Sequence, residues 1–303
     1  MSTDRRPGPG PDGAAAGLDG AAPDYRPGRT LSVRAEWARQ ARRRRTQVAL
    51  GFMVALPLIM LGAFQLGGND DEPGPPGGGR FGSLVDLATS GGLNFALFTV
   101  FVSSGFLLVV VVALFFGDTV SSEASWGSLR YLLAAPVPRS RLLGAKLAVA
   151  AGYSLLAMLL LAGTALGAGT LRYGWEPLRS AVAAEVPAGE GLVRLLLVLG
   201  YIGISLMVVA ALAFLLSVVT DAPLGAVGGA VMLYILSSIL DQITALGDLR
   251  ALLPTHFSDA WLGFLSTPVE TGDAVRGAIS AVCYATVFCA LAWWRFLRRD
   301  IVS

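Results

Sequence analysis

The chain has 303 residues, 54% of them hydrophobic and only 15% charged, against about 25% charged in an ordinary soluble domain. Its net charge is +2 and it has a single histidine, which excludes a bis-histidine haem site within one chain and an H-E-x-x-H zinc site. The deficit of charge points to lipid as the solvent.

Residues 1–29 are mostly Pro, Gly, Ala and Asp. They lack the large apolar side chains needed to bury a core and are expected to form a disordered cytoplasmic tail. Residues 30–45, TLSVRAEWARQARRRR, suit a helix with Thr30 or Ser32 as N-cap. Two readings stand for it. One is a basic topology signal. The other is an elbow helix along the inner leaflet, with Leu31 and Trp37 in the interface and arginines at the phosphates.

The rest, 46–303, reads as one transmembrane domain. A span needs about 20 mostly apolar residues, and six runs qualify: 46–67, 93–117, 143–169, 192–219, 223–240 and 277–294. They lack the alternation of barrel strands, so the expected fold class is an all-α polytopic membrane protein of six transmembrane helices. The first run follows a 45-residue tail and reads as a retained anchor rather than a cleaved signal. Residues 68–92 are Gly- and Pro-rich and are expected to be a mobile outer loop. In the next outer loop, Tyr173 and Trp175 suit the membrane edge. Thr220, Asp221, Ala222 and Pro223 form a tight inner hairpin, and Gly225 and Gly229 read as a close helix contact. Within 241–276, Leu252, Leu253, Phe257, Trp261 and Phe264 predict a short amphipathic helix resting on the outer face or dipping back into it. His256 there reads as a surface residue. Cys283 and Cys289, six apart on one helix, are small apolar packing residues that cannot pair with each other.

With the N-terminus inside, 17 of the 23 basic residues fall on the inner side. The positive-inside rule therefore places both termini in the cytoplasm. Lys146 is the only lysine, and the arginine bias hints at a high-GC bacterial genome.

Several chemistries are missing. There is no G-x-x-x-x-G-K-[ST] phosphate loop, and Gly203-Ile204-Ser205-Leu206-Met207 lacks the second glycine of a nucleophile elbow. No cofactor, metal or nucleic-acid partner is expected of the chain itself. No acid or base falls in the middle of a predicted span, which counts against a proton-coupled secondary transporter, the alternative function.

The stretch 118–146, DTVSSEASWGSLRYLLAAPVPRSRLLGAK, separates the second and third runs. Trp126, Leu129 and Leu133 share one helical face, and Pro136 and Pro138 end that helix. It is either an ordinary interfacial loop with inner-side arginines or a segment that plugs a partner's pocket. The order Glu123, Gly127-Ser128-Leu129, Leu132-Leu133, Pro136-Val137-Pro138-Arg139 and Lys146 resembles the inner loop of bacterial type-2 ABC exporter permeases. The ending Phe296-Leu297-Arg298-Arg299-Asp300-Ile301 also looks like that family's close, and the family more often has Thr at the position of Ser128.

The resemblance, over about 30–303, implies a transport subunit without catalysis of its own. It implies a cytoplasmic coupling helix that docks on a separate ATP-binding cassette ATPase, which carries the ATP and magnesium. A second permease chain, identical or different, would complete a dimer in the bacterial inner membrane. Glu123, Trp126, Arg130 and Arg139 are then the docking residues. The family's second and fifth spans face the dimer partner. There, Asn94, Thr99 and Ser103 on one, and Tyr234, Ser238 and Asp241 on the other, either line a polar route or make interhelical hydrogen bonds.

Overall fold

The computed structural model describes residues 33–67, 79–122, 139–179 and 185–298. These residues form helices α1 (Val33–Ala41), α2 (Arg44–Gly67), α3 (Gly79–Thr89), α4 (Gly92–Ser104), α5 (Leu107–Gly117), α6 (Arg139–Tyr173), α7 (Ala188–Ser205), α8 (Met207–Val219), α9 (Pro223–Asp241) and α10 (Gly272–Leu297). Two 3₁₀ segments, Thr244–Leu252 and Ala260–Leu265, lie between α9 and α10. Among the described residues the only extended pairing is one antiparallel bridge between Leu178 and Val186.

Five helices are long and apolar enough to cross a membrane: α2, α6, α7 with α8, α9 and α10. The pair α4 and α5 passes the same test jointly but is bent by 57°. This is a helical membrane protein. The bend corrects the expectation of an unbroken second span. Gly105 and Phe106 interrupt it, and Phe106 leaves helical geometry at φ −136°. A glycine in an apolar run weakens the helix there.

The core runs along α6, which is 35 residues, or about 52 Å, long. That exceeds the hydrocarbon thickness of about 30 Å, and its first turns are still packed, with Leu142, Leu143 and Lys146 buried. Phe95, Phe115 and Tyr153 are among its largest buried side chains. Close approach of α4 and α6 depends on Gly92, where a Cβ would stand 2.6 Å from the Thr170 backbone. Gly117 similarly admits Val227 of α9, whose side chain would lie 2.8 Å from an added Cβ. In the α8–α9 hairpin, Pro223 opens α9 as expected. Gly229 abuts Leu216, while Gly225 meets no neighbouring helix closely.

Two further expectations need correction. The stretch expected as a mobile outer loop, 68–92, holds helix α3, whose Leu84, Leu87 and Ala88 line an apolar pocket with Phe98 and Leu265. The dense Gly and Pro before it hid that pattern. The single amphipathic helix within 241–276 is replaced by two 3₁₀ pieces and a turn. Pro254 falls inside the expected helix and breaks it, and Gly247, at φ +52°, kinks the 3₁₀ piece before it. Trp261 and Phe264 are buried there, as their spacing suggested, whereas Leu252 is exposed. Cys283 and Cys289 are free thiols.

Candidate functional site

Two polar constructions stand out of the apolar bundle, one at each end. The first joins α1 to the segments on either side of 123–138. Glu36 is the only acid in α1 and is buried against α6. It accepts from Arg39 at 2.6 Å and from Lys146 Nζ at 3.4 Å. The Lys146 side chain is only 4% exposed, so Glu36 is the counter-charge that lets an ammonium lie there. Burial alone pushes the Glu36 carboxyl up, but Lys146 and Arg39 outweigh it and hold the group below its ordinary value.

Next to it, Trp37 stacks on Tyr153 with ring centroids 4.3 Å apart. The Tyr153 hydroxyl donates to the Trp37 carbonyl at 2.9 Å. Gly152 makes room for this, since a Cβ there would fall 2.3 Å from the indole.

Asp118 follows the last turn of α5 and its side chain is 4% exposed. Arg43 Nη1 and Arg45 Nη1 each donate to it at 2.6 Å, one to each oxygen. Burial nevertheless outweighs the two guanidinium charges and pushes its carboxyl up. The chain leaving Asp118 is tied down further. The Val120 N–H donates to Ser217 Oγ of α8 at 3.0 Å, and Thr119 and Ser217 share a hydrogen bond of 3.1 Å. Ser121 and Ser122 donate back to the carbonyls of Gly117 and Asp118. Both ends of 123–138 are therefore pinned to the N-terminal helices through buried ion pairs, Asp118 on one side and Lys146 on the other.

Of the docking residues expected from the sequence, Glu123, Trp126 and Arg130 lie outside the described residues. Arg139 opens α6, and its side chain lies outside them too. The sequence marks Lys146 as part of the motif but does not reveal its pairing with Glu36, although two signals for it exist. Glu36 is a lone acid in an arginine-rich helix, and Lys146 is the only lysine of the chain.

The second construction is a cavity of about 210 Å³ at the far end. The α4–α5 break lends it Ser104 and Gly105, α7 lends Ser205, and α9 lends Tyr234, Ser238 and Asp241. Thr255, Ser258 and Asp259 close it from the segment between α9 and α10. That segment dips deep. Val227 packs on Gly117 at the basic end, and Ser237 is ten residues, or about 15 Å, further along α9. Ser237 hydrogen-bonds Thr255 at 2.7 Å, so the turn reaches about halfway down the bundle. His256 Nδ1 lies 2.5 Å from Asp241 Oδ1. His256 is thus the partner of an acid rather than a plain surface residue.

The sequence-predicted pathway residues divide. Tyr234, Ser238 and Asp241 share this cavity. Thr99 is fully buried and donates to the Phe95 carbonyl at 2.9 Å, and Ser103 is buried with its hydroxyl unpaired. Neither lines the cavity. Asn94 clasps the backbone of Arg179 through both amide atoms, at 2.7 and 3.0 Å, and so holds the outer connection onto α4.

No group of three or more acids, histidines or cysteines among the described residues could hold a metal ion. No curated protein matches the chain. A family model described as "Protein of unknown function (DUF2705)" matches residues 83–302, from before the first bent span to the end of α10 and beyond. That match covers well over half of the chain, which belongs to the DUF2705 family.

Proposed function

We propose that the chain is the membrane-spanning permease subunit of a bacterial ABC-2 type exporter, worked by a separate cytoplasmic ATPase. It would have six spans, counting α4 and α5 as one, with α1 as the elbow helix and both termini in the cytoplasm. ATP and magnesium would bind the ATPase, and a second permease chain would complete the transporter. The chain itself would catalyse nothing.

The observation that carries this reading is the pinning of both ends of 123–138. A force applied to that segment by a motor has to be passed into the bundle without slack. Buried ion pairs at Asp118 and Lys146 hold both of its ends against α1 and α2, and Ser217 adds α8. The motif order in 123–146 and the absence of a phosphate loop from the sequence support it as well.

The test is co-purification in mild detergent. The tagged chain should bring down a nucleotide-hydrolysing subunit. Trp126→Ala and Glu123→Arg should insert normally yet lose ATPase binding or transport. Normal binding and transport in both variants would remove the docking assignment.

A secondary transporter is the second reading, and one observation favours it. The sequence argued that no span carries an ionisable group in its middle. Asp241 and His256 nevertheless pair beside a turn that reaches halfway down the bundle, and such groups mark ion routes. Active transport by the purified chain with no ATPase present would select this reading.

A further inference from the structure

The cavity at the far end has a charge character that its residues and backbone state together. Two helix carboxyl ends point at it, α4 through Ser104 and Gly105 and α9 through Asp241 and Gln242. Such an end carries partial negative charge, and at α9 the carbonyls of Ile239, Leu240 and Asp241 accept from the Gln242 N–H, the Ile243 N–H and Arg250. Two carboxylates add to them. Asp241 is occupied by His256, and Arg250 donates to the backbone carbonyls of Gly247 and Asp241, both at 3.3 Å, not to a carboxylate. The exposed Asp259 side chain lines the cavity and makes no hydrogen bond or ion pair among the described residues. Neither Arg nor Lys lines the cavity, and its other polar lining is hydroxyl and amide: Ser104, Ser205, Tyr234, Ser238, Gln242, Thr255 and Ser258.

Its size fits an organic molecule better than a bare ion. The volume of about 210 Å³ equals that of roughly seven waters. Leu206 and Ile202 give it an apolar lining, and Tyr234 adds an aromatic residue to it. Broken spans whose carboxyl ends meet a carboxylate at mid-depth are a recurring way to hold a cation inside a membrane protein.

From this geometry we infer that the cavity binds a small organic cation, a primary amine or quaternary ammonium, from the far side of the membrane. The cationic head sits between Asp259 and the ends of α4 and α9, with its alkyl part on Ile202 and Leu206. This deepens the transport reading by naming a substrate class, yet its test needs no ATPase, so the two can fail separately.

The probe is choline, compared with 3,3-dimethylbutan-1-ol, which has the same shape without the charge. Binding is measured by equilibrium dialysis on the full chain in detergent. Choline should bind at least tenfold more tightly than the alcohol. Asp259→Asn should weaken choline about fivefold, the scale of one partly solvated ion pair, and leave the alcohol unchanged. Asp259→Glu should restore choline binding. Because Asp259 is exposed and makes no structural bond, these variants should fold. Equal binding of the two probes, no choline binding, or an Asp259→Asn protein that binds choline as the parent does would each overturn the assignment.

Discussion

Gly152 sets the tightest demand on side-chain size at the basic end. A Cβ there would overlap the Trp37 ring, which is itself stacked on Tyr153. Gly152→Leu should therefore expel the indole and cost about 1–3 kcal/mol, read as a lowered melting temperature and a red-shifted emission from Trp37 in a variant with the other tryptophans replaced. Unchanged emission would mean that α1 does not rest where it is described. Glu36 makes a different demand, for charge. Its carboxyl is held below the ordinary value, so its contribution is full above the unfolded pKa of about 4.3 and is lost as pH falls through the lower folded value. The parent protein should lose stability below about pH 4, while Glu36→Gln should show less of that acid loss. At neutral pH Glu36→Gln should be less stable by about 1–3 kcal/mol, because Lys146 loses the carboxylate 3.4 Å from its ammonium. Melting curves at both pH values check the pair of expectations.

At the scale of elements, the construction around Asp118 makes the end of α5 a fixed point. Asp118→Ala frees two arginines and leaves them facing a hole, so the amides of 33–45 and 118–122 should exchange faster together. Ser217→Ala should loosen only 119–122, since Ser217 touches Thr119 and Val120 and not α1. Exchange that rises in one segment alone for Asp118→Ala would show that the two are not linked. These couplings mark the limit of what the sequence makes legible. The long apolar runs announce their helices by composition alone, and the basic helix and the 220–223 hairpin carry local signals. The bend at Gly105, helix α3 and the dip of 253–259 do not. Helix α3 and the dip depend on partners distant in sequence, Leu84 on the 260–265 segment and Thr255 on Ser237, while the bend rests on one glycine that an apolar run does not announce. The candidate sites follow the same rule. Tyr234, Ser238 and Asp241 are legible because they share one face of one helix, whereas Glu36 and Lys146 are 110 residues apart and only folding reveals them as a pair.

For the whole molecule, the two polar constructions occupy opposite ends and differ in sign. The basic end gathers the arginines of α1 and α2, and α10 finishes there with Arg298 stacked 4.7 Å over Trp294. An arginine on an indole at a helix end is suited to the headgroup layer. The far end carries Asp241, Asp259 and the turn that closes the cavity. The proposed docking through 123–138 requires the basic end to face the cytoplasm, the orientation that the positive-inside rule favours. The assignment can be tested on a background with Cys283 and Cys289 replaced by Ala, both being free thiols without a disulfide role. Single cysteines at Ser140 and Glu176 lie at the two ends of α6, about 50 Å of helix apart. A membrane-impermeant maleimide added to intact cells should label position 176, and should label 140 only after the membrane is opened. The reverse pattern would turn the molecule over, put the arginine-rich end outside and leave a cytoplasmic motor with nothing to grip.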